Sequence, residues 1–240
     1  MKRCIYMTFR PIYYDTETTG VKPGKDRIIE IAAFDPSLNK TFCTFVNPEC
    51  PIPAESTAIS SITDEMVKGA PLIKDALTAF SEFCSGEVIL IAHNNDAFDK
   101  LFLEAEHNRA GLSIPPWTFL DSLKWSRKYR SDLPRHSLQS LREVYGIEAN
   151  QAHRAFDDVM VLYQIFSRMV DDLSWAKILE LVTQTTKIQR MPFGKYLGKP
   201  LTDVPKDYAI WLKQSGALDK KENGSLREAF EKLGYFAGIA

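Results

Sequence analysis

The chain has 240 residues and a net charge of −1, with 45% hydrophobic and 25% charged residues. That is enough apolar material for a packed core and lies well outside the composition of a disordered chain. No window approaches the ~18–20 apolar residues of a membrane span, and the apolar stretch after Met1 breaks at Arg10-Pro11, too early for a signal peptide. Cys4, Cys43, Cys50 and Cys84 form no C-x-x-C pair, which argues against a zinc site and fits a reduced cytoplasm. The expectation is a soluble, cytoplasmic protein with no membrane partner. Charge is unevenly placed. Residues 187–240 hold ten Lys or Arg against six Asp or Glu, while the preceding 186 residues carry a balance of −5. An acidic body suits a cation site and a basic tail suits a phosphate polymer.

In chain order, residues 9–14, 27–34 and 40–46 read as strands, and Pro48 to Pro53 as a proline loop. Thr63-Asp64-Glu65 marks a helix start. A helix at about 74–84 leads into Val88-Ile89-Leu90-Ile91, an apolar run that suits a buried strand. Asp96 is the expected N-cap of a helix at about 97–109 carrying Asp99, with Gly111 ending it. Further helices are expected at about 121–129 (Asp121 as cap), 137–145 and 155–172. Strands first, then strands alternating with helices, predict an α/β domain with a mixed central sheet flanked by helices. Residues 173–186 suggest a connecting helix. Beyond it, Met191 to Pro200 reads as a short hairpin with glycine turns, followed by helices at about 206–215 and 225–233, the second capped by Ser225. The expected organisation is a domain over residues 1–172, a connector over 173–186 and a small basic α+β domain over 187–240.

Three acidic segments carry the chemistry: Asp15-Thr16-Glu17, Phe98-Asp99, and His153 to Asp158. Residues i and i+2 of a strand share a face, so Asp15 and Glu17 point the same way. Carboxylates gathered closely raise one another's pKa, and a hard dication with oxygen preference relieves the repulsion. Histidine takes and releases a proton near neutral pH. Together these predict two-metal phosphodiester hydrolysis, with Mg²⁺ or Mn²⁺ as two ions held by Asp15, Glu17, Asp99 and Asp158. On a regular helix His153 would pair with Asp157, about 40° round the axis, rather than Asp158 at about 140°. Geometry alone thus favours Asp157, and only a position for His153 in the loop before the helix would leave Asp158 open as the ligand.

Tyr14-Asp15-Thr16-Glu17-Thr18-Thr19-Gly20 resembles the first motif of the DEDDh (DnaQ-like) 3′→5′ exonucleases. Ala97 to Leu103 resembles the second, and His153 with Asp158 the third. Leu133-Pro134-Arg135-His136-Ser137-Leu138 resembles the family's approach to the third motif, and the likeness covers about residues 9–172. It implies the ribonuclease-H-like fold, catalytic roles for Asp15, Glu17, Asp99, His153 and Asp158, and release of nucleoside 5′-monophosphates from 3′ ends, DNA before RNA. It also implies contact of Thr18, Thr19 and Gly20 with the terminal nucleotide, beside Phe98. His93-Asn94-Asn95-Asp96-Ala97-Phe98-Asp99 is one residue longer than the family's pattern, so Asn94 or Asn95 holds the position of the usual asparagine; Asn95 is carried forward as a substrate contact. Ser60 replaces the usual histidine ring and is not carried over. The tail, with Phe193-Gly194-Lys195-Tyr196-Leu197-Gly198-Lys199-Pro200, resembles the small C-terminal domain of exonuclease X-like proteins, and Lys195 and Lys199 are its expected phosphate contacts. A nucleic-acid-binding module with an inactive site, a proofreading-subunit role, an exoribonuclease and a phosphomonoesterase are the competing readings. A homodimer or a polymerase partner is left open.

Overall fold

A computed structural model describes residues 9–148, 154–183, 189–220 and 223–237. The chain divides into two compact units, residues 1–182 and 183–240.

In the first unit five strands form one sheet in the order β3-β2-β1-β4-β5. They are β1 (Arg10–Thr18), β2 (Ile28–Asp35), β3 (Lys40–Phe45), β4 (Val88–Ala92) and β5 (Thr118–Asp121). β1 pairs antiparallel with β2, and β2 with β3, while β1–β4 and β4–β5 are parallel. The mixed sheet expected from sequence is present. Two segments were not anticipated: the four-residue β5, and a helix α1 (Ala54–Ser60) directly after the proline loop. The remaining helices of this unit are α2 (Asp64–Val67), α3 (Ile73–Phe83), α4 (Asp99–Arg109), α5 (Ser122–Tyr129), α6 (Leu138–Val144), α7 (Ala155–Val170) and α8 (Trp175–Thr183).

Period-two alternation of β1 decides what each side of the sheet packs. Ile12 and Tyr14 join a core with Leu77 and Phe80 of α3 and Phe102 and Leu103 of α4. Tyr13 faces the other way, with Ala32, Phe34, Ile89 and Ile91, against Val159, Leu162 and Phe166 of α7. Every residue of β2 is buried, as a strand covered on both faces requires. Helix α8 packs with this second core through Ile178, and the Leu181 carbonyl accepts from Lys128 and from Tyr129 of α5. The helix read from sequence as a connector therefore rests on the first unit.

Asp96 is not the cap of α4. The extra residue between His93 and Asp99 is taken up by a 3₁₀ turn, Asn95–Ala97, entered through Asn94 at φ +69°, so the helix begins two residues late at Asp99. Asp96 instead forms an ion pair with Lys124. Asp121 is the cap of α5, accepting from Leu123 N–H at 2.9 Å and Lys124 N–H at 3.3 Å, and it also holds the N–H groups of Asn94 and Asp96. One carboxylate thus ties the end of β5 to the turn that precedes Asp99.

The second unit has its own core of Met191, Leu201, Val204, Leu212, Leu226 and Phe230. Its helices are α9 (Lys206–Gln214) and α10 (Gly224–Lys232). The expected hairpin reduces to a single bridge, Arg190 to Pro200, closed around a 3₁₀ turn at Gly194–Tyr196. Ser225 does not cap α10. The helix starts one residue earlier, with Asn223 in the cap position and no side-chain cap bond.

Candidate active site

Asp15 and Glu17 stand at odd positions of β1, the face that α7 covers, and Asp158 lies in the first turn of α7. Alternation and helix placement therefore deliver three carboxylates to one spot. One carboxylate oxygen from each lies within 4.8 Å of the other two. Asp157, one residue earlier, stands outside this group and lines a groove with Gly146, Ile147 and Arg168.

Asp99 arrives from the other side of the sheet. Thr16 occupies the even face of β1, and its N–H and hydroxyl both donate to one oxygen of Asp99, at 3.0 and 2.8 Å. The fourth acid is buried at the edge of the trio rather than inside it, close enough to act on Asp15 electrostatically. His153 lies outside the described residues. α7 starts at Ala155 with Arg154 in the cap position, so the sequence position of His153 precedes the helix.

A further acid escaped the sequence reading. Glu30 of β2 sits directly across from Glu17 and is 1% exposed. Its carboxylate accepts from the Ala155 N–H at 3.3 Å and faces the Arg154 guanidinium at 3.6 Å. Like charges opposite each other on a sheet are unfavourable, and here the start of α7 and its arginine supply the compensation. Glu30 thereby fixes where α7 begins, and through it the position of Asp158. A lone carboxylate in the otherwise apolar Ile28-Ile29-Glu30-Ile31-Ala32-Ala33-Phe34 was the available signal.

Crowding shows in the proton affinities. Burial first, then Asp99, Glu17, Asp158 and Glu30, raises Asp15 well above the ordinary carboxylate range. Burial, then Asp158 and Glu30, pushes Glu17 up to about 8, against the partial relief of Arg154. Asp99 is pushed up to about 7, mainly by burial, with the Thr16 hydrogen bonds opposing. This is a set of hard oxygen donors whose mutual repulsion a dication would neutralise, and it fits Mg²⁺ or Mn²⁺. A stability prediction follows. Unfolded carboxylates ionise near pH ~4, whereas Glu17 and Asp99 hold their protons in the fold up to about 8 and about 7. Between those limits the native state binds more protons, so their contribution is full below about pH 4 and lost as pH rises to about 8. In EDTA the melting temperature should fall from about pH 5 to about pH 8, and excess Mg²⁺ should restore it most at the higher pH. A melting temperature that rose over that interval in EDTA would contradict the crowded-acid account.

The residues expected to meet substrate divide into two groups. Thr18 and Thr19 are buried, and their hydroxyls serve the local turn. Thr18 donates to the Gly20 carbonyl at 2.6 Å, and Thr19 accepts from the Arg27 N–H at 2.9 Å. At Gly20 a Cβ would fall 2.4 Å from Asp26 Oδ2, so only glycine lets that side chain fold over the turn. Asn95 is fully buried. It accepts from the Tyr14 hydroxyl and donates to the Leu120 carbonyl at 3.1 Å, bracing β1 against β5 with no surface left for a nucleotide. Phe98 stays half-buried on Phe102, and Lys195 and Lys199 are exposed in the second unit. His93 bridges Ser122 and the His136 carbonyl, and His107 bonds the Leu103 carbonyl, so both are structural.

A mixed sheet with acids at the junction of its antiparallel and parallel halves, closed by a helix bearing another acid, defines a ribonuclease-H-like hydrolase of nuclease type. Residues 12–166 match the family model described as an exonuclease of the RNase T type, and the chain belongs to that DnaQ-like exonuclease family. Residues 177–231 match a second model whose description is provisional, a quorum-sensing-regulated virulence factor. The PolC-type DNA polymerase III of Caldanaerobacter subterraneus subsp. tengcongensis is 39% identical over 165 residues, which is 68% of this chain and 12% of that one. The chain thus spans about an eighth of that relative's length. Escherichia coli exonuclease I in complex with a dA16 oligonucleotide superposes with a TM-score of 0.62 at 20% identity, over 75% of this chain and 44% of the other. Exonuclease X in complex with 5′-overhanging duplex DNA gives 0.53 at 24% identity, over 69% and 93%. Among the described residues no helix is long and apolar enough to cross a membrane.

Proposed function

We propose that the chain is a metal-dependent 3′→5′ exonuclease that releases nucleoside 5′-monophosphates from nucleic-acid 3′ ends, with DNA preferred over RNA. The observation that carries the reading is the convergence of Asp15, Glu17 and Asp158, from two elements, within 4.8 Å. Asp15, Glu17 and Asp158 would hold one dication, and Asp15 with Asp99 a second. Such ions supply Lewis acidity at a phosphodiester and offset the charge of the leaving oxygen. His153 would accept the proton of the attacking water. Glu30 and Arg154 hold the start of α7, and Gly20 and Phe98 border the place of the terminal nucleotide. Lys195 and Lys199 would meet phosphates. The PolC-type relative makes a DNA polymerase the candidate partner, and the exonuclease I and X complexes support DNA as the substrate.

Matched DNA and RNA oligonucleotides with labelled 3′ ends test the substrate. Loss of label from the DNA with Mg²⁺, faster than from the RNA, is expected. Faster loss from the RNA would make the chain an exoribonuclease.

A further inference from the structure

Helix α9 carries Tyr208, which packs against the tail's core, and Trp211, which does not. Tyr208 and Trp211 lie three residues apart and so share a helix face. Their rings stack, with centroids 5.5 Å apart and 24° between planes. Tyr196 meets Tyr208 edge-on at 4.8 Å, and the ammonium groups of Lys195 and Lys199 stand 5.6 and 5.7 Å from the centre of the Tyr196 ring. The chain from lysines through Tyr196 and Tyr208 to Trp211 is therefore continuous. It is also fixed in place. The Lys195 N–H donates to the Tyr208 hydroxyl at 3.2 Å, and Gly194, at φ +75°, leaves room that a Cβ would fill 2.4 Å from that same oxygen.

Trp211 ends this array with 56% of its surface exposed, and it takes no part in the core around Leu212 and Phe230. An exposed tryptophan with one face stacked on a tyrosine offers its other face to a planar ligand. Phe193 and Tyr196 are half-buried against the tail's core, so the exposed ring in this unit is one that their spacing among the lysines does not reveal. A purely apolar partner would gain nothing from two ammonium groups beside the rings. A strand of bases and phosphates would use both.

We propose that Trp211, stacked on Tyr208 and flanked by Lys195 and Lys199, is a base-stacking platform for single-stranded nucleic acid. The choice of ligand rests on the exonuclease reading above; the platform itself is a binding site of the second unit, separate in chemistry from the carboxylates. Bases stack on the indole without regard to sequence, while the lysines meet the phosphates between them.

The test uses the full chain in EDTA, where hydrolysis is arrested, and an oligothymidylate of about 16 nucleotides, near the upper site size of single-strand binding folds. Binding is followed by anisotropy of a 5′ label and by tryptophan fluorescence. Trp211→Ala should weaken binding by roughly 5- to 150-fold, the range for loss of one base–aromatic stack. Trp211→Phe should recover most of it, and the fluorescence quenching seen with wild type should vanish in both. A Trp211→Ala protein that binds within about twofold of wild type, or a quenching signal that survives the substitution, overturns the platform. Wild-type hydrolysis of a 3′-labelled strand is measured alongside with Mg²⁺. Its absence with binding intact would remove the exonuclease reading and leave the platform standing, whereas hydrolysis with unaltered Trp211→Ala binding would do the reverse.

Discussion

Asp15→Ala and Asp158→Asn are each expected to lower hydrolysis in Mg²⁺ by at least about 10²–10³-fold, the scale for removing one group that stabilises developing charge. The fold should persist, because neither side chain is part of the apolar core. Stability of the metal-free protein should hold or rise. Asp15 is raised by burial and by four neighbouring acids, and removing one carboxylate relieves the others. Urea unfolding in EDTA and turnover in Mg²⁺ together separate a lost ligand from a lost fold. A near-wild-type rate in either variant would dismiss the proposed ligand set.

His153→Ala is expected to lower kcat by roughly 10²–10⁴-fold, the usual worth of a general base, with KM little changed. Asp157→Ala should remain within a few-fold of wild type. α7 begins at Ala155 and points Asp158 toward Asp15 and Glu17, while Asp157 lines the neighbouring groove. Equal damage from Asp157→Ala and Asp158→Ala would mean that the helix start does not select between them.

What could be read from the chain before its fold was known follows from local rules. The face shared by Asp15 and Glu17 needs only the two-residue period of a strand, whereas helix geometry alone favoured Asp157 and the preference for Asp158 came from the family likeness. The placement of Asp99 was harder. Its motif says that it belongs with the others, but not that it approaches from the α4 side and is tied to Thr16. That depends on which face of β1 each helix covers, a tertiary fact. Asn95 was misplaced for a related reason. The extra residue before Phe98 could be absorbed as a helix turn or as a 3₁₀ turn, and the 3₁₀ turn carries Asn95 inward to Tyr14 and Leu120. Glu30 was read only as part of a strand, since its partners Arg154 and Ala155 lie more than a hundred residues away. In the tail, glycine spacing suggested a hairpin, but among the described residues only one bridge forms because the segment between its ends coils into a 3₁₀ turn.

The central claim is that converging carboxylates make this chain a 3′-end nuclease, and the identity of the first product tests it most directly. Wild-type protein is incubated with a single-stranded DNA oligonucleotide carrying a 3′-terminal label, with Mg²⁺ and separately with EDTA, and the released species are resolved by chromatography. The account predicts labelled nucleoside 5′-monophosphate as the first product, formed only with the metal and lost in Asp158→Asn. Internal fragments, a nucleoside 3′-monophosphate, or release of inorganic phosphate alone would contradict it.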